Sequence, residues 1–302
     1  MKDKMKTLKI YFTDFWANFD VTDNFIYRVL AKKYDIIIDE KRPDYLFFSC
    51  FSPNHLKYKK CVKIFFTGEN IVPDFNLCDY ALGFDHLTFG DRYLRLPLYV
   101  VTQHFNTLYD KNVPSDEWLL NRKFCNFVYT NGDQADPVRL QFFKKLSEYK
   151  QVDSGGQLEN NIGHPVENKL DFISNYKFTI AFENSAVDGY TTEKLMQPMQ
   201  VNSLPIYWGN PSVHKDFNLD AIIYLKNHSE VNKAIEEVIR LDNDDAAYLE
   251  KLKKPWLIND TYKHWEEVFS HFLEHIVEQN KEDALKRPRY GFRKQYVTMR
   301  YF

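Results

Sequence analysis

Two cationic side chains, Lys194 and Arg139, lie near predicted helix starts, where they could bind phosphate. Lys194 follows Thr191 and Thr192, and either threonine can accept hydrogen bonds from the free N–H groups of a helix. The first turn of a helix carries partial positive charge and unpaired donors, so it suits an anion. Lys194 adds a full positive charge there, which favours a diphosphate ligand. The alternative is an ordinary surface lysine.

Arg139 follows Asp136-Pro137, a pair typical of a helix start, with aspartate at the cap and proline in the first helical position. An arginine in the first turn could form a second phosphate contact through its paired N–H groups. The alternative is a solvated arginine on an amphipathic helix whose apolar face includes Phe142. Chemistry alone leaves both interpretations open.

Glu69 is a candidate general base because it follows the apolar run 62–66, which predicts a β-strand. Gly68 allows the backbone to turn sharply, so the carboxylate is presented at the carboxyl end of that strand. Ligands of parallel α/β sheets bind at this edge. A solvated loop acid is the alternative, and the residues alone favour it because few surface carboxylates are catalytic.

A parallel sheet is needed to bring such side chains to one edge, and residues 176–213 predict part of one. The apolar runs 178–182 and 204–208 predict two strands, and the loop and helix between them complete a βαβ unit. Pro198 falls inside this helix, where it removes a hydrogen bond and should kink or shorten the helix. Gly155, in a loop after another predicted strand, could let the backbone approach a ligand closely.

Short apolar runs in both halves favour an α/β protein with mostly parallel sheets. The length of 302 residues fits two domains, and the polar, aperiodic stretch 107–122 is the best linker candidate. We therefore predict a first domain over 1–118, a second over 119–270, and a terminal helix and tail over 271–302.

Composition narrows the functional class. A net charge of −2 gives no global attraction to nucleic acid. No GxGxxG or P-loop occurs, which weakens dehydrogenase and kinase interpretations. The four cysteines form no CxxC pair and are typical of reduced thiols in a cytosolic protein. The amino-terminal residues contain no long apolar stretch, so we expect neither a signal peptide nor a spanning helix.

Both halves resemble the α-1,3-fucosyltransferases that use GDP-fucose, in the form seen in bacterial enzymes making Lewis-type antigens. The resemblance runs from about residue 62 to 218 and is much weaker outside that range. The matching segments are KIFFTGEN at 63–70, DYALGFD at 79–85, DRYLRLP at 91–97, FENS at 182–185, GYTTEK at 189–194, PIYWG at 205–209 and KDF at 215–217.

The resemblance implies a GT-B fold, with two Rossmann-like domains facing a cleft, the first binding the acceptor and the second GDP-fucose. It implies inverting transfer of L-fucose to the GlcNAc 3-hydroxyl of N-acetyllactosamine- or lactose-type glycans, with no essential divalent metal or other cofactor. It assigns the catalytic base to Glu69, the phosphate contact to Arg139 and the ribose contact to Glu193. The other donor-binding residues would be Asn184, Tyr190, Lys194 and Gly155.

Phe15 and Trp16 are candidate acceptor-binding residues because their rings could stack on the apolar face of a sugar. They follow the predicted strand 8–12, at its carboxyl end. Packing into the domain core is the alternative.

Arg95 is a third acceptor-binding candidate, on a segment that we expect near the cleft. The alternative is a structural role for the arginines of this segment, through the ion pairs Asp91–Arg92 or Asp79–Arg95.

Two patterns suggest metals, but a structural interpretation is favoured for each. Residues 242–244 form a DxD sequence, the metal-binding signature of another glycosyltransferase architecture, but they follow an amphipathic helix in an acidic turn. His264, His271 and His275 fall on nearly one line of a helix, which could mark zinc, yet they flank an apolar face. We predict no metal site.

Residues 286–302 contain six basic residues, five aromatic residues and no acid. Such a segment could rest on an anionic membrane surface or pack back on the protein. Bacterial relatives have similar tails that are proposed to touch the membrane. We therefore expect a cytoplasmic protein with peripheral contact at the inner membrane face.

Two other functions stay open at this stage. One is a non-catalytic glycan- or nucleotide-binding protein that kept the fold, which would bind GDP without turnover. The other is a GT-B transferase that uses another GDP-sugar, such as GDP-mannose.

Overall fold

A computed structural model describes residues 5–130, 132 and 135–288. The chain forms two compact units, of which unit 1 comprises Met1–Val101 and His264–Phe302, and unit 2 comprises Thr102–Lys263. Each unit is an α/β layer structure built on a parallel sheet, so the predicted class of two Rossmann-like domains is confirmed. The units differ from the sequence-based boundaries, because residues 102–118 group with unit 2 and 264–270 with unit 1.

The strands are numbered in chain order. They are β1 Thr7–Thr13, β2 Asp35–Ile38, β3 Tyr45–Phe48, β4 Val62–Phe65, β5 Tyr80–Gly83, β6 Tyr93–Arg95, β7 Lys123–Phe127, β8 Val152–Ser154, β9 Tyr176–Phe182, β10 Leu204–Trp208 and β11 Ile223–Tyr224. The α-helices are α1 Phe25–Ala31, α2 Leu98–Val101, α3 Asp116–Leu120, α4 Val138–Ser147, α5 Lys169–Ser174, α6 Glu193–Gln200, α7 Val231–Asp242, α8 Asp245–Lys253, α9 Trp265–Glu278 and α10 Lys281–Ala284.

The sheet of unit 1 has the order β2-β1-β3-β4-β5-β6, with parallel pairing throughout. Its central strands β3, β4 and β5 are buried at every residue, because helices and loops cover both faces. Helix α9 comes from the far end of the chain and packs on α1, with the rings of Phe25 and Phe269 5.5 Å apart.

A buried ion pair fastens Arg287 to unit 1. The Arg287 guanidinium contacts the Asp79 carboxylate, and the exposed fractions of the two side chains are 3% and 0%. The Arg287 backbone N–H also donates to Asp79 Oδ1 at 2.8 Å, and its Nη2 donates to the carbonyl of Cys61 at 2.9 Å. Asp79 precedes β5 and Cys61 precedes β4, so this attachment lies at the amino-terminal edge of the sheet.

The sheet of unit 2 has the order β11-β10-β9-β7-β8, again with parallel pairing. The central strand β9 is buried at all seven residues. The strand order reverses between β7 and β9, where connecting helices pass to opposite faces of the sheet. The loops that follow these two strands diverge at such a point and leave room for a ligand.

Helix α6 is short, as its proline predicts. Thr192 caps its start, since Oγ1 accepts a 3.3 Å hydrogen bond from the Lys194 N–H. Pro198 has no N–H to continue the helical ladder, and the helix ends two residues later at Gln200.

The basic tail lies mostly outside the described residues, which end at 288. Within them, Lys286 lies 3.5 Å from the exposed Asp91 carboxylate, and Arg287 is buried as described above. No helix in the described ranges combines the length and apolar character needed to cross a bilayer.

Candidate functional site

The loops after β7 and β9 are joined through Tyr129, two residues beyond β7. Its hydroxyl accepts a 2.7 Å hydrogen bond from the Phe182 N–H and donates to the carbonyl of Ile180 at 2.9 Å. Burial raises its pKa to about 12, although the charges of Arg139 and Lys194 act in the opposite direction. The phenol therefore stays neutral. The effect of both charges on its pKa indicates that Arg139 and Lys194 lie close to the point where the strand order reverses.

Arg139 is the second residue of α4 and is only 2% exposed. Its Nη2 donates to the carbonyl of Phe182 at 3.0 Å and to Asn184 Oδ1 at 2.7 Å. The guanidinium also lies over the ring of Tyr129, 4.1 Å from its centroid. The solvated-arginine alternative is therefore wrong, because the side chain is inserted at the end of β9 rather than exposed on a helix face.

The predicted cap of this helix is present one residue away from the expected boundary. Asp136 Oδ1 accepts a 2.9 Å hydrogen bond from the Val138 N–H, while Pro137 is the residue just before the helix. The Asp136 N–H in turn donates to the carbonyl of Asn184 at 2.9 Å. The start of α4 is thus tied to the loop after β9.

Lys194 lies in the first turn of α6 with its Nζ 3.5 Å from Glu183 Oε2 and 3.6 Å from Glu193 Oε1. Burial disfavours the charged form of Lys194, but the two carboxylates outweigh that effect and raise its pKa. The lysine is therefore a fixed cation, and the surface-lysine alternative is wrong because only 17% of its side chain is exposed.

Glu183 is fully buried and holds the start of α6. It accepts a 2.7 Å hydrogen bond from the Thr192 N–H and further hydrogen bonds from the Thr192 hydroxyl. Burial raises the pKa of Glu183, and the Lys194 ammonium opposes that rise. Gly209 makes room for this side chain, because a Cβ at Gly209 would lie 2.6 Å from Glu183 Cγ.

Lys169, the first residue of α5, is a cation that sequence reasoning missed. Burial lowers the pKa of Lys169. The Glu193 carboxylate acts in the opposite direction, and the Lys194 charge lowers the pKa further. Burial would raise the pKa of Glu193, but the ammonium groups of Lys194 and Lys169 reverse that effect and hold it below its ordinary value. The segment before Lys169 has no hydrophobic period, so only the adjacent Asn168 cap signals the helix start.

The remaining predicted donor-binding residues lie in the same unit. Tyr190 is buried, with 3% of its surface exposed. Gly155 is packed by apolar side chains, since a Cβ there would lie 2.8 Å from Val166 Cγ1. The steric requirement for glycine is stronger at Gly156, because a Cβ there would lie 1.9 Å from the Tyr129 carbonyl oxygen. A role for Gly155 in donor binding stays a prediction.

Glu69, in unit 1, is exposed in the loop that follows β4. Its backbone N–H donates to Thr67 Oγ1 at 3.1 Å, and Thr67 Oγ1 lies 3.1 Å from the thiol of Cys50. None of the described residues donates a hydrogen bond to the Glu69 carboxylate. The loop therefore fixes the backbone of Glu69 and leaves its carboxylate accessible.

The predicted acceptor aromatics follow β1. Phe15 stacks on Phe19 with ring centroids 4.0 Å apart, while Trp16 is 41% exposed. Trp16 also makes an edge contact with Phe51, which is 48% exposed and follows β3. Phe15 is half-buried beside Phe19, Trp16 has exposed surface available for stacking, and acceptor binding by either ring stays a prediction. Phe51 was not recognised from the sequence.

Arg95, the last residue of β6, donates from Nε to the carbonyl of Phe84 at 2.9 Å. The suggested ion pairs Asp79–Arg95 and Asp91–Arg92 are both wrong. Asp79 pairs with Arg287 instead, and Arg92 donates to backbone carbonyls, including that of Asp79 at 2.7 Å.

The DxD residues have structural partners. Asp242 lies 3.1 Å from the Lys150 ammonium, and Asp244 caps α8 by accepting from the Ala247 N–H at 3.0 Å. On α9, His275 Nε2 lies 2.9 Å from Asp91 Oδ2. These contacts agree with the structural interpretation of both patterns.

Two family models match the chain in succession. Residues 10–102 match the N-terminal domain of α-(1,3)-fucosyltransferase FucT, and residues 120–284 match the C-terminal domain of glycosyltransferase family 10 (fucosyltransferase). The second match alone covers more than half of the chain. Together they contain every predicted site residue in both units.

Individual relatives agree with the family models. The α-(1,3)-fucosyltransferase FucT of Helicobacter pylori is 32% identical over 285 residues, which are 81% of this chain and 59% of that protein. A crystal structure of an α1,3-fucosyltransferase matches with a TM-score of 0.81 and 30% identity, covering 96% of this chain and 95% of that one. One with GDP-fucose matches with a TM-score of 0.75 and 29% identity, at the same coverage. The chain thus spans about three fifths of the curated H. pylori relative, and it belongs to glycosyltransferase family 10, the fucosyltransferase family.

Proposed function

We propose that this chain is an inverting α-1,3-fucosyltransferase. It transfers L-fucose from GDP-β-L-fucose to the 3-hydroxyl of GlcNAc in N-acetyllactosamine-type glycans. The observation that carries this proposal is the pair of cations in unit 2. Arg139 and Lys194 lie in the first turns of the helices that follow β7 and β9, the two strands between which the sheet order reverses.

The donor diphosphate would bind to these two cations and to the N–H groups of both helix starts. Charge-assisted hydrogen bonds to phosphate are among the strongest in proteins, and they also stabilise the negative charge that develops on departing GDP. This set of donors replaces a divalent metal in our proposal. Glu193, whose low pKa keeps it ionised, would accept hydrogen bonds from the ribose hydroxyls. The GDP-fucose complex of the solved relative supports the choice of donor.

The acceptor would bind to unit 1, with Glu69 as the base that removes the proton from the attacking hydroxyl. Inversion needs a base only on the acceptor side, because attack is in line with the departing diphosphate. The accessible Glu69 carboxylate at the carboxyl edge of the sheet supports this role. Trp16 would stack on an acceptor sugar ring, and Arg95 would contact its hydroxyls.

A donor screen tests the proposal. The purified protein is incubated with N-acetyllactosamine or lactose and either GDP-fucose or GDP-mannose, and products are identified by mass and by NMR of the new linkage. We expect a deoxyhexose increment from GDP-fucose alone, attached α-1,3. Transfer from GDP-mannose instead would identify a different transferase. Calorimetric binding of GDP with no transfer to any acceptor would identify a non-catalytic binding protein.

The membrane expectation is a separate part of the proposal. Arg287 forms a buried ion pair with Asp79. The attraction of the basic tail to an anionic surface would therefore come from the other cations of the tail. Co-sedimentation with vesicles containing phosphatidylglycerol, with and without residues 289–302, tests it. Equal binding of both proteins would contradict the proposed role of the tail.

A further inference from the structure

A cavity of about 420 Å³ opens at the carboxyl edge of the unit 1 sheet. Its walls include Phe48 and Phe65, the last residues of β3 and β4, together with the loop residues that follow these strands. Ile71 and Val72, two and three residues after Glu69, form another part of the lining. The cavity is therefore built from the same loop that presents the proposed base.

Ser49, a lining residue, carries a buried hydroxyl whose partner is not found in the described part of the chain. Ser49 is 1% exposed, and within the described part of the chain its Oγ has no hydrogen-bond partner. Buried hydroxyl groups are nearly always hydrogen-bonded, because leaving one unpaired costs free energy. A ligand with a carbonyl oxygen would satisfy this donor.

The rest of the wall near Ser49 is largely apolar. The ring of His55 stacks on Phe48 with centroids 4.3 Å apart, and Phe65 packs against Phe48 at 5.4 Å. Val72 contributes an aliphatic side chain that is 53% exposed. A group that joins a methyl to an amide carbonyl fits such a lining, whereas a bare sugar hydroxyl would leave the apolar walls uncovered.

The wall is held by a buried carboxylate rather than by a loose loop. Asp14, which follows β1, accepts hydrogen bonds from the His55 N–H and His55 Nδ1, both at 2.7 Å, and from the Asn54 N–H at 3.0 Å. It also accepts from the Ser52 hydroxyl. These contacts fix residues 52–55 before any ligand arrives, which reduces the entropy lost on binding.

The cavity is linked to the proposed base by hydrogen bonds. Cys50, which lines it, contacts Thr67 Oγ1, and Thr67 Oγ1 accepts from the Glu69 N–H. In a 2-acylamino sugar the acylamino group and the 3-hydroxyl are on adjacent carbons. A subsite for the first must therefore lie beside the base that deprotonates the second.

We infer that this cavity binds the 2-acylamino group of the acceptor sugar, with the Ser49 hydroxyl donating to the amide carbonyl and the methyl against Phe48 and Phe65. The inference rests on the proposed function, because it takes the fucosylated residue to be a 2-acylamino sugar. It makes Ser49 a specificity-determining residue, which selects N-acetyllactosamine over lactose.

The test compares kcat/KM for N-acetyllactosamine and lactose, which differ only in this substituent on the reducing sugar. Ser49→Ala should lower kcat/KM for N-acetyllactosamine about three- to tenfold, the value of one hydrogen bond, and change lactose by less than about twofold. Val72→Phe, at an exposed position, should narrow the cavity. It should therefore reduce the ratio of kcat/KM for N-acetyllactosamine to kcat/KM for lactose. Ile37→Phe, at an exposed position on β2 outside the cavity, is the matched control and should leave the ratio unchanged.

A binding measurement separates this inference from the proposed function. In saturation-transfer NMR with N-acetyllactosamine, the acetamido methyl should receive the strongest saturation in the wild type and less in Val72→Phe. If the methyl signal is saturated but the wild-type protein transfers no fucose, the proposed reaction is contradicted and the subsite is not. Transfer activity with no saturation of the methyl signal would contradict the subsite but not the reaction. Equal effects of Ser49→Ala on kcat/KM for both disaccharides would also contradict the subsite alone.

Discussion

The carboxylate of Glu183 contacts both the start of α6 and its first cation. It accepts a 2.7 Å hydrogen bond from the Thr192 N–H, and its Oε2 lies 3.5 Å from the Lys194 ammonium. Because Glu183 has no exposed surface, this ion pair is poorly screened by solvent. The cation proposed to bind phosphate is thus held in place and neutralised before the donor arrives.

Glu183→Gln should destabilise the protein and make GDP a stronger stabiliser. The amide oxygen can still accept from the Thr192 N–H, but one of the two negative charges beside Lys194 is lost and only Glu193 remains to balance the buried ammonium, so the urea midpoint should fall. Urea unfolding measures this change. Saturating GDP should raise the unfolding midpoint more in the variant than in the wild type, because phosphate supplies the missing negative charge.

The control for this variant is Glu237→Gln, which breaks an exposed pair with Arg240 on α7. Such a pair contributes less than about 1 kcal/mol, so the unfolding midpoint should hardly move. Equal effects of the two substitutions would show that the Glu183 charge does not hold α6.

Arg139→Ala and Lys194→Ala should each weaken GDP binding about tenfold or more, as expected for a charge-assisted contact to phosphate. The double variant should lose less than the sum of the two, because both groups act on one diphosphate. Calorimetry with GDP measures all three. Lys144→Ala, an exposed lysine on α4, is the control and should bind GDP normally. Wild-type affinity in both single variants would remove the diphosphate from this site.

Glu69→Gln should lower kcat about 10²- to 10⁴-fold, the usual contribution of a general base. GDP-fucose affinity should stay within about twofold of the wild type, since the donor residues belong to unit 2. Steady-state kinetics and calorimetry separate the two effects. Glu40→Gln alters another exposed acid that follows a strand of the same sheet and should leave kcat unchanged. More than half of the activity in Glu69→Gln would exclude it as the base.

Transfer should continue in excess EDTA. Two side-chain cations and two helix starts are proposed to neutralise the diphosphate, so no divalent ion is needed there. Initial rates with and without chelator give the comparison. Loss of activity that Mn²⁺ restores would contradict the metal-free proposal.

Arg287→Met should destabilise unit 1 by about 3–5 kcal/mol, because it leaves the Asp79 carboxylate buried without its cation. Lys286→Met, at the adjacent residue, removes only a part-exposed contact with Asp91 and should cost less than about 1 kcal/mol. Urea midpoints of the two variants give the comparison. Similar midpoints would show that the buried pair does not hold the segment before the tail.

The parts of the fold that the sequence predicts well are local. The run of apolar residues at 204–208 coincides with β10, and the threonine cap and Pro198 set both ends of α6 within a few residues. These features depend on short-range sterics and capping, which a single stretch of sequence contains.

The features that the sequence does not predict depend on contacts across the chain. Glu183 follows a strand and resembles a polar loop residue, but Gly209, which follows β10, leaves the space in which it is buried. Likewise, α9 has a clear helical pattern, yet its partner α1 is more than 200 residues away in sequence. The partner of Asp79 was misassigned for the same reason, since Arg287 is equally distant.

The division of unit 1 has a consequence for synthesis on the ribosome. Because Thr102–Lys263 interrupts it, the amino-terminal sheet emerges long before α9 can cover α1. At about 5–20 residues per second, the stretch between the end of α1 at Ala31 and the start of α9 at Trp265 takes roughly 10–50 s to synthesise. Unit 2 is continuous and has all its residues available first, so it can complete its fold ahead of the unit that contains the amino terminus. During that interval the apolar face of α1, including Phe25, must be kept from aggregation by transient packing or by chaperones.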